Sequence, residues 1–171
     1  MNSSALDYHW YAVYTLGRKE KVVFSELVED GYEAYLPLRK VKKRWSDRTK
    51  LIDEPLFPSY VFVRVSQLEY YKVLSHRAVL KYISFGGRPC IIPERQIEAV
   101  KRLMGENLDF EVTSDHFKPG QEVEITAGPM IGCQAEVVRH AGKKGLLLRV
   151  GNIGYSLVVN IPAAYLQLVT T

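Results

Sequence analysis

Hydrophobic positions in the first 105 residues switch between the two-residue period of strands and the longer period of helices. Runs rich in aromatic and β-branched residues predict strands at 9–15, 32–38, 59–65 and 79–85. Apolar positions at helical spacing predict helices over about 18–30, 67–75 and 93–105. The strand at 32–38 is expected to run on into the basic segment, and after a turn at Asp47-Arg48 the chain returns as a further strand through Leu51 and Ile52. This order predicts an α+β fold: an α/β sandwich with helices on a mostly antiparallel sheet.

The pattern changes after residue 116. Short β runs separated by Gly, Pro and Asn indicate a small β-barrel, with strands at 122–126, 135–140, 146–150, 156–161 and 166–169. Residues 105–116 show no clear periodicity and contain several acids, as in a linker. The sequence therefore predicts a domain over 1–108, a linker over 109–116 and a barrel domain over 117–171.

The composition is that of a folded globular protein, with 47% hydrophobic and 25% charged residues, and it argues against wholesale disorder. No apolar stretch approaches the roughly 20 residues of a transmembrane helix. The N-terminus lacks the features of a signal peptide, so we expect a cytoplasmic protein with no membrane association. Cys90 and Cys133 have no metal-ligand spacing around them, and neither a metal nor a cofactor is expected.

Positive charge is concentrated in residues 39–50, RKVKKRWSDRTK, which contain seven basic residues and one acid. Such asymmetry is typical of an element that faces phosphates. The alternative is a solvated hairpin tip that is basic for solubility or edge protection. An aromatic side chain among cations is suited to stacking on bases, which favours contact. The candidate nucleic-acid contacts here are Lys42, Lys43, Arg44, Trp45 and Arg48.

Glycines in the C-terminal part have the spacing of a tight loop between two strands. Gly120 precedes a strand, and Gly128 and Gly132 flank Pro129-Met130-Ile131. This arrangement resembles a KOW motif. KOW barrels contact RNA in ribosomal proteins and mainly bind protein partners in the NusG family.

The N-terminal half resembles the NGN domain of that same family. The segments that carry the resemblance are WYAVY at 10–14, the first helix, EPLFPSYVFV at 54–63 and residues 86–93. NGN, linker and KOW together cover nearly the whole chain. The EPLFPxY form is similar to specialised paralogues of the RfaH and UpxY type, which act on particular operons and suppress pausing and termination. The resemblance implies a monomeric bacterial transcription elongation and antitermination factor that is not an enzyme.

The resemblance also implies where partners bind. An apolar depression that grips the clamp helices of RNA polymerase corresponds to Tyr14, Phe57, Pro58, Tyr60, Phe62 and Ile97, with Phe57 expected as an exposed anchor. The family's second polymerase contact falls on Tyr70, Tyr71 and Lys72, where this chain departs from the family pattern. Contacts to the non-template DNA strand fall on Arg18, Lys19, His76 and Arg77. The basic ribbon corresponds to a hairpin directed toward upstream duplex DNA.

In the KOW domain, Met130 and Ile131 are implied contacts for ribosomal protein S10 or Rho, although apolar residues at a loop tip can instead plug the end of a barrel. RfaH masks its polymerase site with a KOW domain refolded into helices. Here Gly142, Gly145, Gly151 and Gly154, together with several valines, oppose a helix in that segment. We therefore expect a constitutive β-barrel.

Three alternatives stay open at this point. The chain could be a housekeeping NusG that modulates Rho-dependent termination. It could also be an RNA- or ribosome-binding module, although residues 117–171 carry only five basic against three acidic residues. An enzyme is the least expected class, because the four histidines are scattered and no P-loop or GxGxxG motif is present.

Overall fold

The computed structural model of the chain describes residues 7–106 and 108–170. The chain divides into two compact units, one ending at Pro93 and the other beginning at Glu94. This division differs from the boundary predicted at residue 108, because it groups the third helix with the C-terminal strands. Within the part of the chain that the structure describes, no helix is long and apolar enough to cross a membrane.

The first unit is built on a four-stranded antiparallel sheet. The strands of the whole unit are β1 (His9–Thr15), β2 (Glu33–Tyr35), β3 (Leu38–Arg44), β4 (Thr49–Pro55), β5 (Tyr60–Val65), β6 (Val79–Tyr82), β7 (Ser84–Phe85) and β8 (Arg88–Pro89). The sheet has the order β2-β5-β1-β6. Strands β3 and β4 form a separate ribbon, and β7 and β8 form a short hairpin.

Two helices cover one face of this sheet. They are α1 (Glu20–Glu29) and α2 (Gln67–Val73), and α2 begins with a capping box between Ser66 and Glu69. Since side chains alternate along a strand, every second residue of β1 and β5 points to the helices. Their shared core contains Tyr11 and Val13 from β1, Val61, Val63 and Val65 from β5, and Val23, Leu27 and Val73 from the helices.

In its described residues, the second unit contains one α-helix, a short 3-10 helix (Ala163–Tyr165) and a six-stranded antiparallel sheet. The helix is α3 (Glu94–Gly105), and the strands are β9 (Phe110–Thr113), β10 (Gln121–Ile125), β11 (Gln134–His140), β12 (Lys143–Arg149), β13 (Ser156–Val159) and β14 (Leu166–Leu168). The sheet order is β14-β10-β11-β12-β13-β9. One buried cluster joins Val138, Leu147 and Val158, with Phe117 packed against it.

The structure confirms the predicted α+β class, with mostly antiparallel sheets in the N-terminal part and a C-terminal strand domain. The segment whose glycines and valines predict strands in place of the helices of RfaH is in β conformation, since Gly145 lies in β12 and Val158 in β13. Residues 110–113, within the linker predicted over 109–116, are in a strand. These residues form β9, which pairs with β13 through Leu157↔Val112 and its neighbours. The pairing partner lies more than 40 residues away, so local periodicity gave no sign of it.

Candidate functional site

Three segments of the first unit meet at the end of β1. The Thr15 N–H donates to the Ser59 carbonyl oxygen over 2.9 Å, and the Leu16 N–H donates to the Ala78 carbonyl oxygen over 2.9 Å. These bonds bring the turn before β5, the loop before β6 and the start of α1 to one end of the sheet. We call the accessible residues at this end the β1-end surface; they are Tyr14, Arg18, Lys19, Pro58, Tyr60, Arg77 and Lys81.

Aromatic rings form the centre of the β1-end surface. Tyr14 and Tyr60 are direct partners in the β1–β5 register, and their rings contact edge to face with centroids 5.4 Å apart. Both are half-buried, and Pro58 beside them is exposed. The Lys81 ammonium lies 5.9 Å from the centroid of the Tyr14 ring, within range of a cation–π interaction. Sequence reasoning missed Lys81, because its position follows from the β1–β6 register.

Three of the predicted polymerase contacts lie in the core. Phe57 is 1% exposed, so the prediction of an exposed anchor is wrong. The chain turns outward only at Pro58, and the Phe57 ring instead meets Phe62 edge to face with centroids 6.1 Å apart. Phe62 and Ile97 are fully buried, and Ile97 lies on α3 in the second unit. Phe57 and Phe62 therefore belong to the packing of the first unit and not to its accessible surface.

Three further cations belong to the β1-end surface. Arg18 and Lys19 are exposed in the turn that leads into α1, and Arg18 has a φ of 62°. Arg77 is exposed in the loop that the Leu16–Ala78 bond holds beside them. The predicted contacts Arg18, Lys19 and Arg77 thus lie at one end of the sheet, although about 60 residues separate them in sequence.

His76 differs from these cations. Its side chain is only 9% exposed, and its two ring nitrogens lie 2.9 Å from the Val73 carbonyl oxygen and 2.9 Å from an Asp30 carboxylate oxygen. The ring also meets Tyr32 edge to face. His76 therefore connects α1 to the end of α2, and the prediction that it faces nucleic acid does not agree with this burial.

Acidic residues of β4 pair with two lysines of the ribbon. The Lys40 ammonium lies 3.3 Å from the Asp53 carboxylate, and the Lys43 ammonium lies 2.5 Å from that of Glu54. The hydrogen bond from Lys43 holds the pKa of Glu54 below its usual value. Lys42, by contrast, stands opposite Leu51. The remaining predicted contacts, Arg44, Trp45 and Arg48, are exposed at the tip, with Trp45 56% exposed.

The predicted second polymerase contact on α2 splits into a buried and an exposed part. The Tyr70 ring stacks on that of Tyr82 with centroids 3.9 Å apart, and the Tyr82 hydroxyl donates to the Tyr70 carbonyl oxygen. Burial, reinforced by the neighbouring Tyr11 and Tyr71, raises the pKa of Tyr70 to about 12. Tyr71 and Lys72 are exposed. Tyr70 thus belongs to the packing of the unit, and only Tyr71 and Lys72 are available to a partner.

The glycine-flanked loop of the second unit separates its two predicted contacts in the same way. Met130 is 1% exposed and Ile131 is 55% exposed. Positive φ angles at Gly128 and Gly132, of 81° and 82°, allow the tight loop that produces this arrangement. Met130 therefore fills the interior of the loop, which is the alternative that the sequence left open, and Ile131 is accessible.

Comparisons with known proteins agree with this architecture. The family model described as transcription termination factor NusG matches residues 8–101. The transcription termination/antitermination protein NusG of Pseudomonas aeruginosa is 25% identical over 134 residues, covering 70% of this chain and 75% of the relative. That of Streptococcus pyogenes is 24% identical over 158 residues, covering 84% and 87%. The fold is similar to a solved structure of Thermotoga maritima NusG, with a TM-score of 0.51, 22% identity, and coverage of 96% of this chain and 98% of that one.

Proposed function

Because the chain belongs to the NusG family of transcription termination and antitermination factors, we propose that it binds RNA polymerase through the β1-end surface and suppresses pausing and termination on specific operons. Members of this family are transcription factors and not enzymes. The observation that carries the proposal is the meeting of an accessible aromatic pair with four cations at one end of the sheet.

The aromatic centre has the properties of a protein-binding hot spot. Tyr14 and Tyr60 are half-buried, and their rings contact each other edge to face. Binding hot spots favour tyrosine that is packed on a rigid support and surrounded by residues that exclude water. The factor then stabilises the active polymerase by binding it more tightly than the paused state.

The cations extend this role to DNA. Arg18, Lys19 and Arg77 are placed to contact the phosphates of the non-template strand beside a bound polymerase. The ribbon, with Lys42, Arg44, Trp45 and Arg48, is the candidate contact for upstream duplex DNA. Phosphate contacts position a protein on nucleic acid without specifying sequence.

Two further accessible sites complete the proposal. Tyr71 and Lys72 on α2 are the candidates for a second contact with polymerase. Ile131 in the second unit is the candidate contact for a protein partner, with ribosomal protein S10 and Rho as the two to test.

The test is retention of the cognate RNA polymerase, followed by pause and terminator read-through assays. We expect the wild-type protein to retain polymerase and raise read-through, and Tyr14→Ala to weaken binding by about tenfold, as for a hot-spot residue. Phe85→Ala is the matched control, because Phe85 is a 78% exposed aromatic residue on the β7–β8 hairpin, outside the β1-end surface. Equal losses in the two variants, or no retention of wild type, would contradict the proposal.

The basic ribbon tip also favours a second function, RNA binding without polymerase. That function predicts tight binding to single-stranded RNA alone, with a logarithmic salt slope of about −0.7 for each phosphate neutralised. Polymerase retention without such binding eliminates it.

A further inference from the structure

One carboxylate is buried beside the β1-end surface. Glu20, the first residue of α1, is only 6% exposed. Its Oε1 atom accepts a hydrogen bond of 2.7 Å from the backbone N–H of Ser59. A buried carboxylate loses its hydration, so its hydrogen bonds must compensate for this loss.

The bond falls on a turn with an unusual backbone. The Tyr60 N–H donates to the Phe57 carbonyl oxygen over 3.3 Å, which closes a four-residue turn with Pro58 and Ser59 at its centre. Ser59 has a φ of 67°. Proline at the second position and a positive φ at the third are the features of a type II turn, in which glycine is the favoured third residue. Serine there is strained, so the surroundings must maintain the conformation.

The hydrogen bond acts on the peptide group that defines the turn type. Type I and type II turns differ by a flip of their central peptide, which here joins Pro58 to Ser59. The N–H of that peptide, which belongs to Ser59, donates the hydrogen bond to the Glu20 carboxylate. A flip would direct this N–H away from the Glu20 carboxylate, and the hydrogen bond between the two groups would be lost. On the far side of Ser59, the Thr15 N–H fixes its carbonyl oxygen.

We propose that Glu20 is a positioning residue that holds the Pro58-Ser59 peptide in the type II orientation and thereby sets the shape of the β1-end surface. The consequence for binding rests on the proposed function. Pro58 and Tyr60 flank Ser59, so the orientation of this peptide decides how the proline protrudes next to the Tyr14–Tyr60 pair. Apparent affinity falls in proportion to the fraction of molecules that have the competent conformation.

The test uses the full chain and two readouts. Hydrogen exchange of the Ser59 amide, followed by NMR, reports the turn, and the Kd for the cognate RNA polymerase reports the surface. We expect Glu20→Ala to leave the fold intact, to speed exchange of the Ser59 amide at least tenfold, and to weaken polymerase binding about tenfold. Glu20→Gln keeps an oxygen acceptor and should have a smaller effect on both.

Two variants separate positioning from stability. Ser59→Gly in the Glu20→Ala background should restore polymerase binding, because glycine adopts a positive φ without assistance. Val23→Ala is the control, because Val23 lies one turn further along α1, in the core on the helix side of the sheet. Val23→Ala should lower the melting temperature about as much as Glu20→Ala does, and it should leave the Kd for polymerase unchanged.

Each outcome decides one statement. The positioning proposal is overturned if Glu20→Ala leaves amide exchange unchanged, or if it disturbs the turn while polymerase still binds with wild-type affinity. It is also overturned if Ser59→Gly restores nothing. Failure of the wild-type protein to bind polymerase would instead refute the proposed function, and with it the binding consequence, while the amide readout would still decide whether Glu20 sets the turn.

Discussion

An ion pair in the second unit allows a prediction about its stability. Glu136 on β11 accepts hydrogen bonds from Nε and Nη2 of Arg149 on β12, the latter over 3.2 Å, and from the Gly120 N–H over 3.0 Å. Arg149 also donates to the Phe117 carbonyl oxygen over 3.2 Å. The Glu136 carboxylate thus joins the segment before β10 to two strands. Glu136→Gln and Glu136→Ala remove these bonds in steps.

The size of the effect follows from exposure. The Glu136 side chain is 15% exposed and that of Arg149 is 35% exposed, so solvent screens the pair and its contribution is about 1 kcal/mol. The bond to the Gly120 N–H adds about 1 kcal/mol. We therefore expect Glu136→Ala to lower the free energy of unfolding of the second unit by about 2 kcal/mol. Glu136→Gln keeps an acceptor for Gly120 and should cost about 1 kcal/mol.

The dependence on pH has a definite sign. Burial raises the pKa of Glu136, but the hydrogen bonds from Arg149 and Gly120 and the charge of Arg149 outweigh it, so that pKa lies below its usual value. A carboxyl group with a depressed pKa stabilises the fold above its unfolded value, about 4.3, and loses this contribution as the pH falls through the folded value. The difference between wild type and Glu136→Gln should therefore be constant from pH 7 to about 5 and shrink below about 4.

The assay is a urea titration followed by the NMR amide signals of Leu147 and Val158, which lie in the core of the second unit. Both tryptophans, Trp10 and Trp45, lie in the first unit, so fluorescence of the same samples provides an internal control. An equal shift of both units, or a difference between wild type and Glu136→Gln that grows as the pH falls, would refute this reasoning.

Three further predictions test other parts of the structure. A Cβ on Gly120 would lie 2.3 Å from the Val137 carbonyl oxygen, so Gly120→Ala should destabilise the second unit by about 1–3 kcal/mol in urea titrations; Gly105→Ala, which meets open space, should stabilise it by no more than about 1 kcal/mol. Lys42→Gln should reduce the logarithmic salt slope of duplex DNA binding by about 0.9, measured by fluorescence anisotropy, whereas Lys40→Gln should change it less because Asp53 already pairs with Lys40; equal changes would contradict the division of the ribbon. Burial raises the pKa of Tyr70 to about 12, so Tyr70→Phe should leave the rise in ultraviolet absorbance between pH 9 and 11 unchanged, and the first unit should lose stability as the pH rises past about 10.

Local sequence patterns predicted most of the secondary structure. The strand over 9–15 agrees with β1 residue for residue, because the segment is almost wholly aromatic and β-branched and is buried in the centre of the sheet. The short C-terminal strands were also predicted within a few residues, since glycines and polar turns mark their ends. Strand β9 was missed because its partner β13 is remote in sequence.

The exposure of site residues was predicted less well. Phe57 and Met130 are apolar residues in turns, and sequence alone does not tell which neighbour points outward. The structure buries these two and exposes Pro58 and Ile131 beside them. In each case the position of the turn within one residue decides the outcome, and that position depends on tertiary contacts such as the Glu20–Ser59 bond.

The β1-end surface depends on contacts between distant segments. Thr15 bonds to Ser59, Leu16 to Ala78 and Glu20 to Ser59, and each pair is separated by about 40 to 60 residues. None of these bonds exists in an unpaired strand, so the aromatic pair and the cations come together only when β1 is paired on both sides. Loss of pairing at this end should therefore abolish the β1-end surface in one step, while the ribbon, whose ladder from Leu38 to Arg44 is formed with β4 alone, keeps its charge arrangement. Binding to polymerase and binding to duplex DNA should for this reason respond differently to mutations at the end of β1.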